Sequence, residues 1–217
     1  MAFSIEEASE QDTERMFEIM SDAFGQGDAF FNASWPEHWT SNGRNAGAKK
    51  FTEGFQSAKP ISTYIKAVDQ SDGTIVGTAI WKMMIDYDPD EEEDNADKKD
   101  DSDISEAKAY QQYLATQFFA DRNNKIRQTK GNIALLDLLA VDPAHQRQGV
   151  AGTLVKWGID KADHLGLEIG VEASEAGQPV YEKRGFVLAK KTEIMVPSKW
   201  QDRGGQKFAW LVRPRQG

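Results

Sequence analysis

The chain has 217 residues, 39% of them hydrophobic, no cysteine, and a formal net charge of −9. Such a length supports one substantial core, so a single domain spanning residues 1–217 is expected, and without thiols neither disulfides nor cysteine-held metals can form. Ten acidic residues and two lysines between Asp88 and Asp103 carry −8 of that charge; the remainder is nearly neutral and offers no basic stripe for nucleic acid.

In chain order, Phe3 to Ala8 alternates as a first strand, and Ser9 stands where it can cap a helix reaching Phe24, with Met16, Phe17, Met20 and Phe24 at helical spacing. Glu6 and Glu7 interrupt the place where a signal peptide would need an apolar run, and no segment is long and apolar enough for a membrane span. A cytoplasmic protein without a membrane partner is the expectation. Residues 25–45 are irregular and aromatic, with Phe30, Phe31, Trp35, His38 and Trp39. His38, His145 and His164 are too scattered to form a ligand pair, so no metal is expected.

Tyr64–Val68 and Thr74–Ile85 read as strands joined at Ser71-Asp72-Gly73, a hairpin turn. Residues 88–103 hold too little apolar surface to offset chain entropy, and a disordered insertion is expected there. A helix from Ile104 to Ala120 follows, with Ala107, Tyr110, Leu114 and Phe118 on one face. Next comes an apolar strand, Ile133–Val141, which stops at Asp142-Pro143 and reopens as Gln146-Arg147-Gln148-Gly149-Val150-Ala151-Gly152. Small residues at 149, 151 and 152, ahead of a helix whose first N–H groups lack partners, make a phosphate site that needs no lysine. Val150, Leu154, Trp157, Ala162 and Leu165 would face inward on that helix, and Gly166 would end it. Leu167–Ala173 is the next strand, Gly177–Arg184 a short helix bearing Tyr181, and Phe186–Pro197 and Lys207–Val212 the last strands.

The loop from Gln146 to Gly152, behind Leu138-Leu139-Ala140-Val141-Asp142-Pro143 and followed by Tyr181-Glu182-Lys183-Arg184-Gly185-Phe186, resembles the central and closing motifs of the GCN5-related N-acetyltransferases. The resemblance covers roughly residues 133–196. It implies an α/β (α+β) fold: a mixed, mostly antiparallel sheet of six to seven strands, with two helices on each face. It also implies acetyl-CoA as cosubstrate, its pantetheine arm lying between two splayed strands beside Leu139, Ala140 and Val141. The pyrophosphate would meet the N–H groups of Gln148, Gly149, Val150, Ala151, Gly152 and Thr153, with Gln146 or Arg147 reaching outer oxygens. Ser174 stands near where many members place a cofactor-touching asparagine.

Tyr181 matches the general-acid tyrosine of that family; by itself it could equally anchor the short helix. Glu172 and Asp137 sit in segments that otherwise read as buried, so either could have a raised pKa and serve as base, or be a hydrogen-bonded structural carboxylate. Trp35, His38 and Trp39 would line the acceptor end, or else pack their loop on the core. The function implied is acetyl transfer to a primary amine of a small molecule. The alternatives are a protein lysine or N-terminal acetyltransferase, or a non-catalytic acyl-CoA-binding module whose acidic insertion recruits a partner. Oligomeric state is not readable from the sequence.

Overall fold

The computed structural model describes residues 2–88 and 104–216. The expected disordered insertion therefore falls almost wholly outside the described residues. Seven strands form one sheet in the order β1-β2-β3-β4-β5-β7-β6. They are β1 (Phe3–Glu7), β2 (Ser62–Asp69), β3 (Ile75–Met84), β4 (Ile133–Val141), β5 (Glu168–Ala173), β6 (Val187–Ile194) and β7 (Gln206–Arg213). Every neighbouring pair is antiparallel except β4–β5, which is parallel. The hairpin between β2 and β3 turns at Gly73, whose φ of +78° suits a residue without a Cβ.

The helices are α1 (Thr13–Phe24), α2 (Ala29–Ser34), α3 (Ser41–Gln56), α4 (Glu106–Phe118), α5 (Ala120–Gln128), α6 (Val150–His164) and α7 (Gln178–Glu182). α6 and α7 pack on one face against Ile65, Trp81, Leu136 and Val171. The other face carries α1 and α3 over Ile80 and Ala140, α5 over Ile133 and Leu135, and α2 with α4 over Ile194 and Phe208. The distribution is thus not two and two, because three helices arise where the sequence shows no apolar stripe. α2 and α3 occupy much of the stretch read as irregular. α3 contains Gly43, Gly47 and Gly54, poor helix formers that hide it. Two of them are required by close packing: a Cβ on Gly47 would meet the Phe17 ring at 2.2 Å, and one on Gly43 would meet the Glu37 carbonyl oxygen at 2.1 Å. The helix expected to end at Ala120 stops at Phe118, and α5 follows at once with only Arg122 and Ile126 buried.

Two local features open the middle of the sheet. In the β3–β4 ladder Ile80 faces Leu138 while Trp81 faces Leu136, so Asp137 is an extra, bulged residue. The bulge switches the pleat: Ala134 and Leu136 join the α6 core, then Leu139 and Val141 do, while Ile133, Leu135, Leu138 and Ala140 face the other side. The parallel β4–β5 pairing also ends here, at Leu136 with Val171. Beyond it the two strands diverge toward the α6 N-terminus.

Candidate active site

At the mouth of that divergence the β4–α6 loop is braced by its own side chains. Asp142 accepts from the Ala144 N–H (2.9 Å) and pairs with Arg15 of α1. Burial pushes the Asp142 carboxyl up, but the Ala144 N–H and Arg15 outweigh it and hold the group below its ordinary value. The Gln146 amide donates to the Val141 carbonyl (3.2 Å) and the Gln148 amide to the Ala144 carbonyl (3.0 Å). Gln146 is therefore engaged in holding the loop, while Arg147 stays exposed. Gly149 caps α6 at φ +94°, and a Cβ there would meet open space. Helix geometry leaves the N–H groups from Gly149 to Gly152 without a carbonyl behind them. Thr153 is different: its N–H bonds to the Gly149 carbonyl at 3.1 Å, so it is not part of the free set. The smallness of Gly152 also serves a packing contact. A Cβ there would lie 2.0 Å from the Arg184 guanidinium, which donates to the Gly152 and Val180 carbonyls and ties α7 to α6.

A cavity of about 160 Å³ lies in the divergence, with Asp137, Leu138, Leu139, Glu172, Ser174 and Tyr181 among its lining residues. Tyr181 is 6% exposed, and burial raises its phenol above the ordinary value. Its ring meets Phe186 edge-on at 5.6 Å, so it both anchors α7 and faces the cavity. The Ser174 hydroxyl accepts from the Gly177 N–H at 3.1 Å, bracing the turn into α7.

Under the cavity is a cluster that sequence reasoning missed. Arg122 of α5, its side chain 6% exposed, grips Glu172 through Nε (3.0 and 3.1 Å) and Nη2, and reaches Asp137 through Nη1. Lys82 of β3 adds a second cation to Asp137 at 3.1 Å. One turn along α5, Lys125 pairs with Glu168, so α5 lies across β5 as a ladder of opposite charges. Burial drives the Glu172 carboxyl up, and Arg122 offsets this only in part, leaving it raised. Burial acts the same way on Asp137, but Arg122 and Lys82 together overcome it and hold that carboxyl low. The expectation of a raised pKa thus holds for Glu172 and not for Asp137. Two carboxylates and two cations balance, which is what permits four charged groups in so enclosed a place.

Of the three aromatics expected at the acceptor end, only Trp35 lines the cavity. His38 is fully buried behind it: Nε2 lies 3.0 Å from the Asn32 amide oxygen and Nδ1 lies 2.8 Å from the Ser21 hydroxyl. A neutral ring that donates from Nε2 and accepts at Nδ1 satisfies both, and burial lowers its pKa accordingly. Trp39 is 43% exposed and packs edge-on against His38, away from the cavity. Leu165, expected to face inward, is also exposed, because the chain leaves α6 there through the Gly166 turn. Among the described residues no cluster of His, Asp and Glu is arranged to hold a metal ion, and no helix is long and apolar enough to cross a membrane.

Comparison with known proteins agrees with this geometry. Residues 87–196, about half of the chain, match the family model described as an acetyltransferase (GNAT) domain. No curated protein matches the sequence. Among solved structures, arylalkylamine N-acetyltransferase 2 from Aedes aegypti aligns with TM-score 0.66 at 16% identity, covering 100% of both chains. A histone acetyltransferase HPA2 and related acetyltransferase from Corynebacterium glutamicum aligns at 0.64 and 18%, covering 100% of this chain and 98% of the other. Drosophila melanogaster polyamine N acetyltransferase, which catalyses formation of N acetylagmatine, aligns at 0.64 and 12%, covering 97% and 99%. At these identities the likeness is one of fold.

Proposed function

Since the chain belongs to the GNAT acetyltransferase family, we propose that it is an enzyme transferring the acetyl group of acetyl-CoA to a primary amine of a small molecule, by direct attack in a ternary complex. The observation that carries this reading is the coincidence of three things in one opening: the end of β4–β5 pairing at Leu136 and Val171, the bare α6 N-terminus at Gly149, and a cavity lined by Tyr181 and Glu172. The fit to acetyl-CoA is physical. Unpaired N–H groups and the helix dipole at Gly149–Gly152 suit a pyrophosphate, and the freed edge of β4 suits an amide-bearing arm added as a strand. Acetyl-CoA supplies an activated acyl carbon and a leaving thiolate.

The amine must lose a proton to attack. Glu172 is favoured over Asp137 as its acceptor, directly or through water, since Glu172 is raised by burial and Asp137 is held ionised by two cations. As the new C–N bond forms and the C–S bond breaks, a main-chain N–H of β4 stabilises the acyl oxygen and Tyr181 gives its proton to the departing sulfur. The nitrogen gives up two protons in all: the one taken through Glu172 before attack passes to solvent, and the one lost as the C–N bond forms is returned through solvent to the phenol, closing the balance. Burial suits Tyr181 to this role by keeping the phenol a neutral donor well above neutral pH. A thiol-release assay over a panel of amines tests the proposal: amine-dependent release that scales with acetyl-CoA supports it. Acetyl-CoA binding without release for any amine would leave a non-catalytic binding module instead.

A further inference from the structure

We infer that Asp28 is the specificity-determining residue of an acceptor subsite that takes a monocationic arylalkyl amine and discriminates against amines that carry a carboxylate; the inference rests on the acetyl-transfer reading for its substrate role. Asp28 sits between α1 and α2 and lines the same cavity as Tyr181 and Glu172. Its Oδ1 accepts from the Phe31 N–H at 2.7 Å, capping α2, and its Oδ2 accepts from the Gln206 amide at 3.1 Å. Gln206 in turn accepts the Phe30 N–H at 3.1 Å, so one amide ties the start of β7 to α2 across this end of the cavity.

Asp28 differs from the other two carboxylates of the cavity. Glu172 and Asp137 are neutralised by Arg122 and Lys82, whereas among the described residues Asp28 has two neutral donors and no cation. A carboxylate has about four acceptor sites, so two remain on Asp28 after these bonds. Around it the cavity is aromatic: Phe30, Phe31, Trp35, Phe118 and Phe208 all line it. Phe30 and Phe118 stack at 4.3 Å, each covering one face of the other. An uncompensated negative charge among aromatic side chains attracts a cation and repels an anion. One unpaired carboxylate matches one positive charge. The volume of about 160 Å³ suits a single ring, for an apolar cavity of roughly 150 Å³ takes up benzene.

The test uses three probes on the full chain: 2-phenylethylamine, phenylalanine, which adds a carboxylate, and 2-phenylethanol, which removes the charge. Binding is followed by calorimetry and transfer by thiol release, in the wild type and in Asp28→Asn and Gln206→Ala. Asparagine can still cap α2 through its one oxygen but turns an amide donor toward the Gln206 amide, so Asp28→Asn is expected to melt somewhat lower and remain folded. The wild type should bind 2-phenylethylamine and use it in preference to phenylalanine. Asp28→Asn should raise KM for 2-phenylethylamine roughly ten- to hundredfold, the scale of one charged hydrogen bond, with kcat nearly kept, and should erase the discrimination against phenylalanine. Gln206→Ala, which loosens the tie but keeps the charge, should retain that discrimination. Equal use of phenylalanine by the wild type, or an Asp28→Asn variant that is folded and unchanged, overturns the inference. Should Asp28→Asn unfold, wild-type binding decides: 2-phenylethanol bound as tightly as 2-phenylethylamine overturns the inference, and amine bound at least tenfold tighter supports it. Asp28-dependent amine binding without thiol release from any amine would sink the transfer reading and leave the subsite standing.

Discussion

The glycine loop at the head of α6 and the charged cluster around Arg122 serve the same opening in opposite ways. The loop works with main-chain N–H groups, and apart from the Asp142 pair with Arg15 the side-chain bonds that brace it, Gln146 to Val141 and Gln148 to Ala144, span five residues or fewer. The cluster works with side chains drawn from β3, α5, β4 and β5, at Lys82, Arg122, Asp137 and Glu172, and none of its members has meaning without the fold. A site made of backbone is therefore written in one short stretch of sequence, while a site made of side chains is assembled only by topology. The two also fail differently. Removing one loop residue changes what a ligand meets, whereas removing one cluster residue leaves charges stranded inside the protein.

That contrast is sharpest at Arg122. Arg122→Ala strands Glu172 beside a cavity and leaves Asp137 with Lys82 alone, and should cost on the order of 3–5 kcal/mol of stability in chemical denaturation. Arg122→Lys should recover little of it, because a point charge cannot replace the fork that grips Glu172. A loss below about 1 kcal/mol for Arg122→Ala, the range of surface pairs, would show the cluster to be as dispensable as an exposed ion pair. Tyr181→Phe should lower turnover by about 10²-fold or more, some 2.7 kcal/mol, with acetyl-CoA affinity retained. The pH dependence has a definite sign. Because burial raises the phenol, its donor form persists past the ordinary value near 10, so an alkaline limb below that pH belongs to another group and should survive in Tyr181→Phe.

At the loop, Gly149→Asp should weaken acetyl-CoA binding in calorimetry by at least about tenfold, since it sets a negative charge against the helix N-terminus where a phosphate would lie. Gly149→Ala is the control for the strain of φ +94° and should keep most of the affinity. The smallest effect is expected at Gly152→Ala: the methyl displaces the flexible end of Arg184, costing about 1 kcal/mol of stability and little cofactor affinity. An affinity loss there equal to that of Gly149→Asp would mean that Gly152 does belong to the anion site.

Much of the sheet was legible because its strands alternate or run apolar between clear turns, as at Ser71-Asp72-Gly73 and Asp142-Pro143. The helix start at Gly149 and the short helix bearing Tyr181 were legible too, being local motifs. α3 was hidden by its glycines, whose value lies in letting Phe17 and Glu37 come close, a benefit that appears only in three dimensions. α5 was hidden because its inward face is Arg122 and Ile126, a cation where the pattern asks for an apolar residue. The signal that could have found Arg122 was Asp137 and Glu172 themselves. Two carboxylates in otherwise apolar strands demand a buried cation, which one of the chain's nine arginines could supply. Asp28 was not legible at all: it lies in the stretch that reads as irregular, and its surroundings depend on Gln206 arriving from the far end of the chain.

The end of pairing at Leu136 and Val171 has one more consequence. β1 to β4 form one antiparallel half-sheet written in the first two thirds of the chain, and β5, β7 and β6 form another, written at its end. Along the sheet the halves share a seam of four residue pairs, Ile133–Leu136 with Glu168–Val171. A strand-like ligand entering above that seam would extend it, acting as a thermodynamic staple between segments distant in sequence. Under the proposed function, acetyl-CoA at a hundredfold excess over its Kd should stabilise the fold by about 2.7 kcal/mol. The gain in amide-exchange protection should centre on Leu138–Val141 and Glu172–Ala173, the two lips of the seam, leaving the outer strands β1 and β6 as they were.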